Sequence, residues 1–209
     1  SIRRGKPSAH IKFGEATAVL AGNSLLTMAF EILSNKSLKI NEKIKTTLIN
    51  KISESSGHLG IAGGQYLDLS YERKKITKKK IEEMEIKKTG KLFSFCCVAP
   101  LIIKRKKKKD IKKFENIGAD IGLLFQVADD LIDYKGTLHV AGKETGKDKK
   151  KGKATLISLL GYKNTIKYSN NLISKINEKL SEYGPQKKNL SETLNYILSR
   201  NKWKRNMNY

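Results

Sequence analysis

The segment "FQVADDLIDYKG", residues 125–136, places three aspartates within five residues of an otherwise apolar run. An α-helix turns about 100° per residue, so Asp129, Asp130, Asp133 and Gln126 would share an arc of roughly a quarter turn. Apolar side chains occupy the rest of the circumference, which is typical of a mostly buried helix with one narrow acidic stripe. An exposed face in this lysine-rich chain would normally include lysine, and this arc contains none.

The acidic stripe requires a compensating partner. Buried like charges must take up protons, pair with cations or bind a metal ion. Mg²⁺ takes one or two carboxylates at a time and completes its octahedral shell with water and phosphate oxygens. The i, i+4 pair Asp129 and Asp133, with Asp130 beside it, suits that coordination. The stripe therefore predicts a magnesium–phosphate site, and the alternative is a solvated polar face on an amphipathic helix.

The composition favours one helical domain. The chain has 209 residues, of which 38% are hydrophobic and only three are proline, so it can bury a real core. No period-two alternation with hairpin signals marks a strand, and the predicted fold class is all-α. Residues 1–12 and 135–153 are predicted to be loops, with a possible helix break at 60–64. Helices are predicted at about 15–33, 42–71, 77–103, 111–134, 154–182 and 190–200.

The charge is strongly basic. The sequence has 43 Lys and Arg against 20 Asp and Glu, for a formal net charge of +23. Such a balance suits a polyanion partner, either nucleic acid or an anionic membrane surface. However, Lys, Asn and Ile recur throughout, as an AT-rich genome would produce, and the runs at 104–110 and 147–153 resemble solvated helix ends or loops. The sequence has no zinc finger or RNA-binding signature, so we expect no nucleic-acid partner.

The cysteines and the apolar segments bear on location. Cys96 and Cys97 are adjacent and cannot easily bridge each other, and the three histidines do not give a zinc-binding spacing. Both observations fit a reducing cytosol. We identify no signal peptide and no apolar stretch of the roughly 20 residues that a membrane-spanning helix needs. The expectation is a cytoplasmic protein without stable membrane insertion.

Cations that could bind phosphate flank the stripe in the sequence. Adjacent arginines offer guanidinium groups that match phosphate oxygens, and lysines follow in two glycine-containing segments. Each segment alone is more often an ordinary basic loop in such a chain. Together with the D-D-x-x-D helix they predict a phosphate site. The three segments are "RRGKP" at 3–7, "KKTGK" at 87–91 and "GKETGKD" at 142–148.

The order of these motifs resembles that of the trans-isoprenyl diphosphate synthases, the farnesyl and geranylgeranyl diphosphate synthase family. The resemblance covers essentially the whole chain, and the ordered set is highly specific. It implies an all-α bundle of long antiparallel helices around a central cavity, with residues 1–209 forming one domain, the C-terminal two-thirds of the family fold. The matching blocks lie at 3–33, 63–69 ("GGQYLDL"), 88–93 ("KTGKLF"), 122–136, 142–148 and 196–202 ("YILSRNK").

The resemblance also implies a reaction. A head-to-tail prenyltransferase holds an allylic diphosphate through Mg²⁺ between two aspartate-rich motifs. The diphosphate ionises to an allylic carbocation, the double bond of isopentenyl diphosphate attacks, and a proton is lost. Dimethylallyl or geranyl diphosphate would be the allylic substrate and farnesyl diphosphate the product, with geranylgeranyl diphosphate as the alternative. The family implies a homodimer.

Family roles carry over residue by residue. Arg3 would contact the allylic diphosphate and Arg4 the isopentenyl diphosphate. Lys88, Lys143 and Asp129 would be the catalytic residues, with Asp129 as the direct metal ligand. Thr89 and Gln126, with Lys88 and Lys143, would line the allylic diphosphate site. Asp129, Asp130 and Asp133 would form the magnesium-binding motif. Arg200 and Lys202 would close over the second substrate.

The sequence also departs from the family pattern. The first aspartate-rich motif should precede Ser1, so we expect these 209 residues alone to be inactive. Asn23 stands where the family usually has Asp, and Gly118 and Gly122 are predicted to permit close helix packing. Two other functions stay open. A non-catalytic partner subunit would lack the first motif upstream, and a basic nucleic-acid protein would bind DNA in a salt-dependent way without responding to Mg²⁺ and diphosphate.

Overall fold

The computed structural model describes residues 2–3, 6–135 and 152–199, and this part of the chain is almost entirely helical. The all-α prediction is therefore confirmed. A π-helical turn at Ile86–Gly90 joins α5 to α6, and a 3₁₀ turn at Ser181–Lys187 precedes α10. The helices are α1 Ala9–Phe13, α2 Glu15–Ser34, α3 Glu42–Ser56, α4 Ile61–Ser70, α5 Lys78–Glu85, α6 Lys91–Ile103, α7 Lys108–Lys135, α8 Leu156–Leu160, α9 Tyr162–Lys179 and α10 Lys188–Ser199.

The beginning of the chain differs from the prediction. Instead of an uninterrupted loop, it has two short antiparallel strands, β1 (Ile2–Arg3) and β2 (Lys6–Pro7), followed by α1. Strands of two residues are too short to leave a period-two pattern in the sequence. Pro7 sits at the end of a strand on the edge of this small sheet, where its missing N–H costs no ladder hydrogen bond.

Side-chain caps explain where several helices begin. The side chain of Asn41 accepts a hydrogen bond from the backbone N–H of Lys43 and caps α3, and Thr77 caps α5 in the same way. Thr155 and Ser158 form a reciprocal capping box at the start of α8. Such caps satisfy backbone N–H groups that have no partner inside the helix. The segment 42–71 is broken, as predicted, but the break lies at 57–60 and residues 61–64 of the predicted break belong to α4.

Helix α7 is the central element of the fold. It packs against α5, α6, α8, α9, α10 and the π-turn. Ile117, Leu124 and Val127 on α7 are completely buried, as are Leu156 on α8 and Ile176 on α9. The sequence-based prediction of a mostly buried helix around the acidic stripe is confirmed. A smaller core cluster of Leu48, Val98 and Ile102 joins α3 to α6.

Two glycines bring α7 into backbone contact with its neighbours. A Cβ atom built on Gly122 would lie 2.4 Å from the Cα of Gly90, and one built on Gly118 would lie 2.5 Å from the Cα of Ser94. Real Cβ atoms do not come that close to backbone, so only glycine permits this packing. The predicted packing role of Gly118 and Gly122 is confirmed.

Helix α2 overturns one sequence-based expectation. Its 20 residues contain an 18-residue window with a mean hydropathy of 1.5, none of which is buried, so this helix is long and apolar enough to span a bilayer. The expectation that no such stretch exists is wrong, although length and composition alone are weak grounds for a membrane helix. Val19, Leu20, Leu25 and Ile32 are more than half exposed. An exposed apolar surface of this kind is typical of a face that a further segment, a partner protein or a membrane covers.

The glycine contact gives a direct stability test. We expect Gly122→Ala to lower the free energy of unfolding by about 1–3 kcal/mol, because the added methyl group must push α7 away from the π-turn. Gly22→Ala in α2 is the matched control, since nothing lies within 4 Å of a Cβ atom there. That variant should leave stability unchanged or raise it by up to about 1 kcal/mol. Urea unfolding followed by circular dichroism measures both, and equal effects would contradict the packing interpretation.

Candidate functional site

The candidate site lies where the π-turn meets the second half of α7. The hydroxyl group of Thr89 donates a hydrogen bond to Oε1 of Gln126 at 3.3 Å. Gln126 in turn donates from Nε2 to Oδ1 of Asp130 at 2.9 Å. Single π-helical turns inside α-helices frequently occur at functional sites. Here the π-turn connects to the acidic stripe through one hydrogen-bonded chain.

Lys88 enters the same site through an ion pair with α4. Its Nζ lies 2.5 Å from Oδ2 of Asp68, whose side chain is only 7% exposed. Lys153, just before α8, approaches the same carboxylate oxygen at 3.8 Å. The short charge-assisted hydrogen bond between Lys88 and Asp68 belongs to the stronger class of polar contacts in proteins. Asp68 thus brings two lysines from distant parts of the sequence together.

A small cavity separates these groups. Its volume is about 20 Å³, which is enough for one water molecule. Methionine, alanine and threonine side chains complete the lining. The lining residues with charged or amide side chains are Asp68, Glu85, Lys88, Gln126, Asp130 and Lys153.

Glu85 is the most unusual member of this group. Glu85 is 2% exposed, and its Oε2 atom has no hydrogen-bond partner among the described residues. Burial raises the pKa of this carboxyl well above its ordinary value, and repulsion from Asp130, Glu82 and Asp68 adds to the shift, whereas Lys88 opposes it. The environment therefore favours the neutral acid, as expected for a buried carboxyl group among other carboxylates.

The aspartate stripe combines buried and accessible carboxylates. Asp130 and Asp133 are buried, and Asp129 is half-buried. Within residues 2–3, 6–135 and 152–199, no three His, Cys, Asp or Glu side chains converge closely enough to hold a metal ion. The set still fits Mg²⁺ that arrives with a diphosphate, because such an ion needs only one or two carboxylates and takes its other ligands from phosphate and water. Asp129 is the most accessible of the three for that role.

Apolar side chains lie beside the polar network. The ring centroids of Phe93 on α6 and Phe125 on α7 are 5.4 Å apart, and Phe125 directly precedes Gln126 in the sequence. Burial, together with repulsion from Cys96, raises the pKa of the Cys97 thiol to about 11. This neighbourhood can therefore exclude water. We predict from the sequence that 92–103 and 121–132 supply the walls of a substrate pocket, and that role stays a prediction.

The structure brings together four of the residues selected from the sequence, Lys88, Thr89, Gln126 and Asp130. Their roles remain predictions. Arg3 lies in β1, but its side chain is outside the described part of the chain. Four further candidates are also outside the described residues: Arg4, Lys143, Arg200 and Lys202.

Sequence reasoning missed three residues of the site. Asp68 stands in the "GGQYLDL" block but carried no assigned role. Lys153 is the last residue of the run "KDKKKGK" (147–153), and the five other charged residues of that run make it hard to single out. Glu85 follows two other glutamates in the short α5, and nothing in the local pattern distinguishes the buried one. Only the packing of α4, α5 and α7 around one cavity reveals these residues.

Glu85 generates a prediction about the pH dependence of stability. Because its folded-state pKa is raised, the folded protein holds this proton more tightly than the unfolded chain does. The contribution of Glu85 to stability must therefore fall as the pH rises above the ordinary glutamate value of 4.5. Glu85→Gln cannot ionise, so its stability relative to the wild type should increase with pH. Urea unfolding between about pH 5 and pH 8 measures this difference.

Glu115→Gln is the matched control for that experiment. Burial would raise the pKa of Glu115, but hydrogen bonds and charge from Lys112 and Lys51 outweigh it and lower the pKa. The control variant should be less stable than the wild type by a constant amount over the same pH range. A Glu85→Gln variant whose relative stability does not change with pH would contradict the buried neutral carboxyl.

Comparison with known proteins finds similar sequences and similar structures. The chain is 38% identical over 200 residues to farnesyl diphosphate synthase of Micrococcus luteus, covering 96% of this chain and 68% of that protein. It is 34% identical to geranylgeranyl diphosphate synthase of Cyanophora paradoxa, covering 96% and 67%. Among solved structures, a Helicobacter pylori geranyltransferase complexed with magnesium and isoprenyl diphosphate matches with a TM-score of 0.81 and 32% identity, covering 94% and 64%.

These matches extend along nearly all of the chain, whereas the chain spans only about two-thirds of each relative. The sequence profile that describes polyprenyl synthetases matches residues 1–195. Together with the helical fold and the aspartate-bearing α7, this match shows that the chain belongs to the polyprenyl synthetase family.

Proposed function

We propose that the protein is a head-to-tail prenyltransferase that joins isopentenyl diphosphate to an allylic diphosphate. The observation that carries the proposal is that Lys88, Gln126 and Asp130 of the acidic stripe line one cavity, and Thr89 is hydrogen-bonded to Gln126. A diphosphate needs cations and hydrogen-bond donors on one side and metal-binding carboxylates on the other. This site offers both around one cavity, in a member of a family whose named relatives are prenyl diphosphate synthases.

Magnesium would be the cofactor. Bound together with the substrate, it would neutralise charge on the diphosphate as the bond to carbon breaks. Asp129 would be its direct protein ligand, because this carboxylate is the most accessible of the stripe. Asp130 and Asp133 are buried and would keep that side of the site negative.

Lys88 would stabilise the leaving diphosphate. Negative charge develops on the diphosphate oxygens when the allylic C–O bond breaks, and a preorganised ammonium group favours that state. Asp68 already holds the Lys88 ammonium in place. Thr89 and Gln126 would orient the diphosphate through hydrogen bonds, and Lys143 would supply a second cation. The isopentenyl double bond would then attack the allylic cation and a proton would be lost, in a pocket kept dry by apolar side chains.

The second substrate would be bound by arginines near the beginning of the chain. We propose that Arg4 contacts isopentenyl diphosphate and Arg3 the allylic diphosphate, because paired guanidinium groups recognise phosphate oxygens well. Arg200 and Lys202 would close over the second substrate. These assignments rest on the family resemblance alone.

Product length and assembly belong to the same proposal. Farnesyl diphosphate is the proposed product, and geranylgeranyl diphosphate is the alternative, since relatives with both names match this chain. We also propose a cytoplasmic homodimer. The exposed apolar side chains of α2 support self-association, because a second copy would remove them from water.

The proposal is tested by assaying the full-length protein with geranyl diphosphate and isopentenyl diphosphate. Product chromatography should show farnesyl diphosphate in the presence of Mg²⁺ and none after EDTA, because the diphosphate leaves poorly without the metal ion. No transfer under any condition would contradict the proposal. Retained binding of magnesium pyrophosphate without transfer would instead support the non-catalytic partner subunit.

Asp129→Ala tests the metal-binding assignment. We expect turnover to fall by at least about a hundredfold, which is the scale for losing a key electrostatic contact in a transition state. Helical content should be preserved, since Asp129 is not part of the apolar core. Steady-state turnover and circular dichroism measure the two quantities.

The matched control neutralises part of the lysine run at the other end of α7. Lys106, Lys107 and Lys108 are exposed, and at 1.5 Å per residue Lys108 lies about 30 Å from Asp129. Replacing all three by Gln should leave turnover nearly unchanged, because exposed distant charges contribute little. Near wild-type turnover of Asp129→Ala would refute the metal assignment, and a large loss in the lysine variant would show a functional partner for that run.

A further inference from the structure

Asp68 holds two lysines beside the candidate site. Its carboxylate is buried in α4 at the cavity wall, with Oδ2 2.5 Å from Nζ of Lys88 and 3.8 Å from Nζ of Lys153. Both lysine side chains keep 23% of their surface exposed. One fixed negative charge is thus shared between two ammonium groups that remain accessible from the cavity side.

The backbone fixes Asp68 in that position. A Cβ atom on Gly64 would lie 2.2 Å from the backbone N of Lys88, so α4 rests directly on the π-turn. Gly64 and Asp68 are four residues apart and therefore lie on the same face of α4. The face that touches the backbone of Lys88 is also the face that binds its side chain. The backbone contact therefore sets the distance between the Cα atoms of Asp68 and Lys88, and the ion pair fixes the Lys88 ammonium group.

The second lysine is tied to the same region independently. Lys153 follows Gly152, whose carbonyl accepts a hydrogen bond of 2.8 Å from the backbone N–H of Arg73, in the turn after α4. The α4 region thus holds the segment before α8 by its backbone and by the Asp68 carboxylate. Lys88 and Lys153 come from separate elements, and α4 is where both are held.

A second buried aspartate shows what a purely structural version of this arrangement looks like. Asp120 on α7 also binds two lysines of one neighbouring helix, Lys179 at 2.6 Å and Lys175 at 3.3 Å. That pair joins α7 to α9, and none of its members lines the cavity. The lysines of Asp68 do line the cavity, together with Gln126 and Asp130. The location of the lysines, not the chemistry of the pair, distinguishes the two aspartates.

We propose that Asp68 is a positioning residue that holds Lys88 and Lys153 in one arrangement for binding the substrate diphosphate. The proposal rests on the proposed function of the site and adds two residues, Asp68 and Lys153, to it. A lysine ammonium on a four-carbon chain has many rotamers, and fixing it before the ligand arrives removes an ordering cost from binding. Asp68 itself would not touch the substrate.

The test measures magnesium pyrophosphate binding by titration calorimetry on the full-length protein, alongside steady-state kinetics with geranyl diphosphate. Asp68→Asn preserves shape and removes the charge. It should weaken pyrophosphate binding by roughly tenfold to a hundredfold, the scale for losing an orienting partner behind a ligating group. The kcat/KM for geranyl diphosphate should fall by a similar factor, while the KM for isopentenyl diphosphate stays near the wild-type value.

Asp120→Asn is the matched control. It also removes one buried carboxylate shared by two lysines, so it should lower the thermal midpoint while pyrophosphate affinity stays unchanged. Asp68→Glu keeps the charge but displaces it by one methylene group, and its affinity should fall between those of Asp68→Asn and the wild type. If Asp68→Asn does not fold, Asp68→Glu decides the matter, because wild-type affinity in that variant would overturn the proposal.

A double-mutant cycle separates positioning from general stabilisation. In a Lys88→Met background, Asp68→Asn should weaken pyrophosphate binding much less than it does alone, because the main group that it positions is gone. Additive losses would overturn the proposal, as would wild-type affinity in Asp68→Asn. Pyrophosphate binding does not depend on prenyl transfer. A protein that binds magnesium pyrophosphate but transfers nothing would therefore refute the proposed reaction, and the effect of Asp68→Asn on binding would still test the positioning role of Asp68. A wild-type protein that does not bind magnesium pyrophosphate would overturn both proposals.

Discussion

Gly90 and Gly122 place the backbones of the π-turn and α7 in direct contact, and the arrangement of the site depends on that contact. With the two segments this close, the short side chain of Thr89 on the π-turn can reach Gln126 on α7. Gln126 in turn binds Asp130, one turn further along the same helix. On the other side of the π-turn, Gly64 brings α4 equally close and Asp68 binds Lys88. The three glycines Gly64, Gly90 and Gly122 therefore set the distances between the helical segments that carry the polar groups of the site.

The same packing removes several carboxyl groups from water, and each is accommodated differently. Asp68 pairs with lysines, Asp130 accepts a hydrogen bond from Gln126, and Glu85 is displaced toward its neutral form. Each of these is a recognised way of avoiding an isolated buried charge. A fold that needed only stability would do better with apolar residues in such places. The proposed magnesium diphosphate ligand, which brings its own cations, would account for the concentration of carboxyl groups around one small cavity.

Much of this architecture could be predicted from the sequence where one element carries its own pattern. Helical periodicity predicts the acidic stripe on α7, and the apolar residues around the rest of the helix predict that it is buried. The pairing of Asp68 with Lys88 and Lys153 joins residues 20 and 85 positions apart, so no local pattern encodes it. The π-turn was not predicted either, because a single widened turn hardly changes the spacing of apolar residues. The exposure of α2 depends on which other segments or chains pack against it, and the sequence of the helix itself does not specify them.

The exposed helix α2 has a consequence for how the stability of this protein should be understood. None of its residues is buried, so its apolar side chains add little to the free energy of folding of a single chain. If a second copy covers that face, the hydrophobic contribution of α2 appears only upon association. Folding and association are then linked equilibria, and mass action makes the midpoint of thermal unfolding rise with protein concentration. The stability of the helical core would in that case be a property of the assembled protein, set partly by the concentration of the protein in the cell.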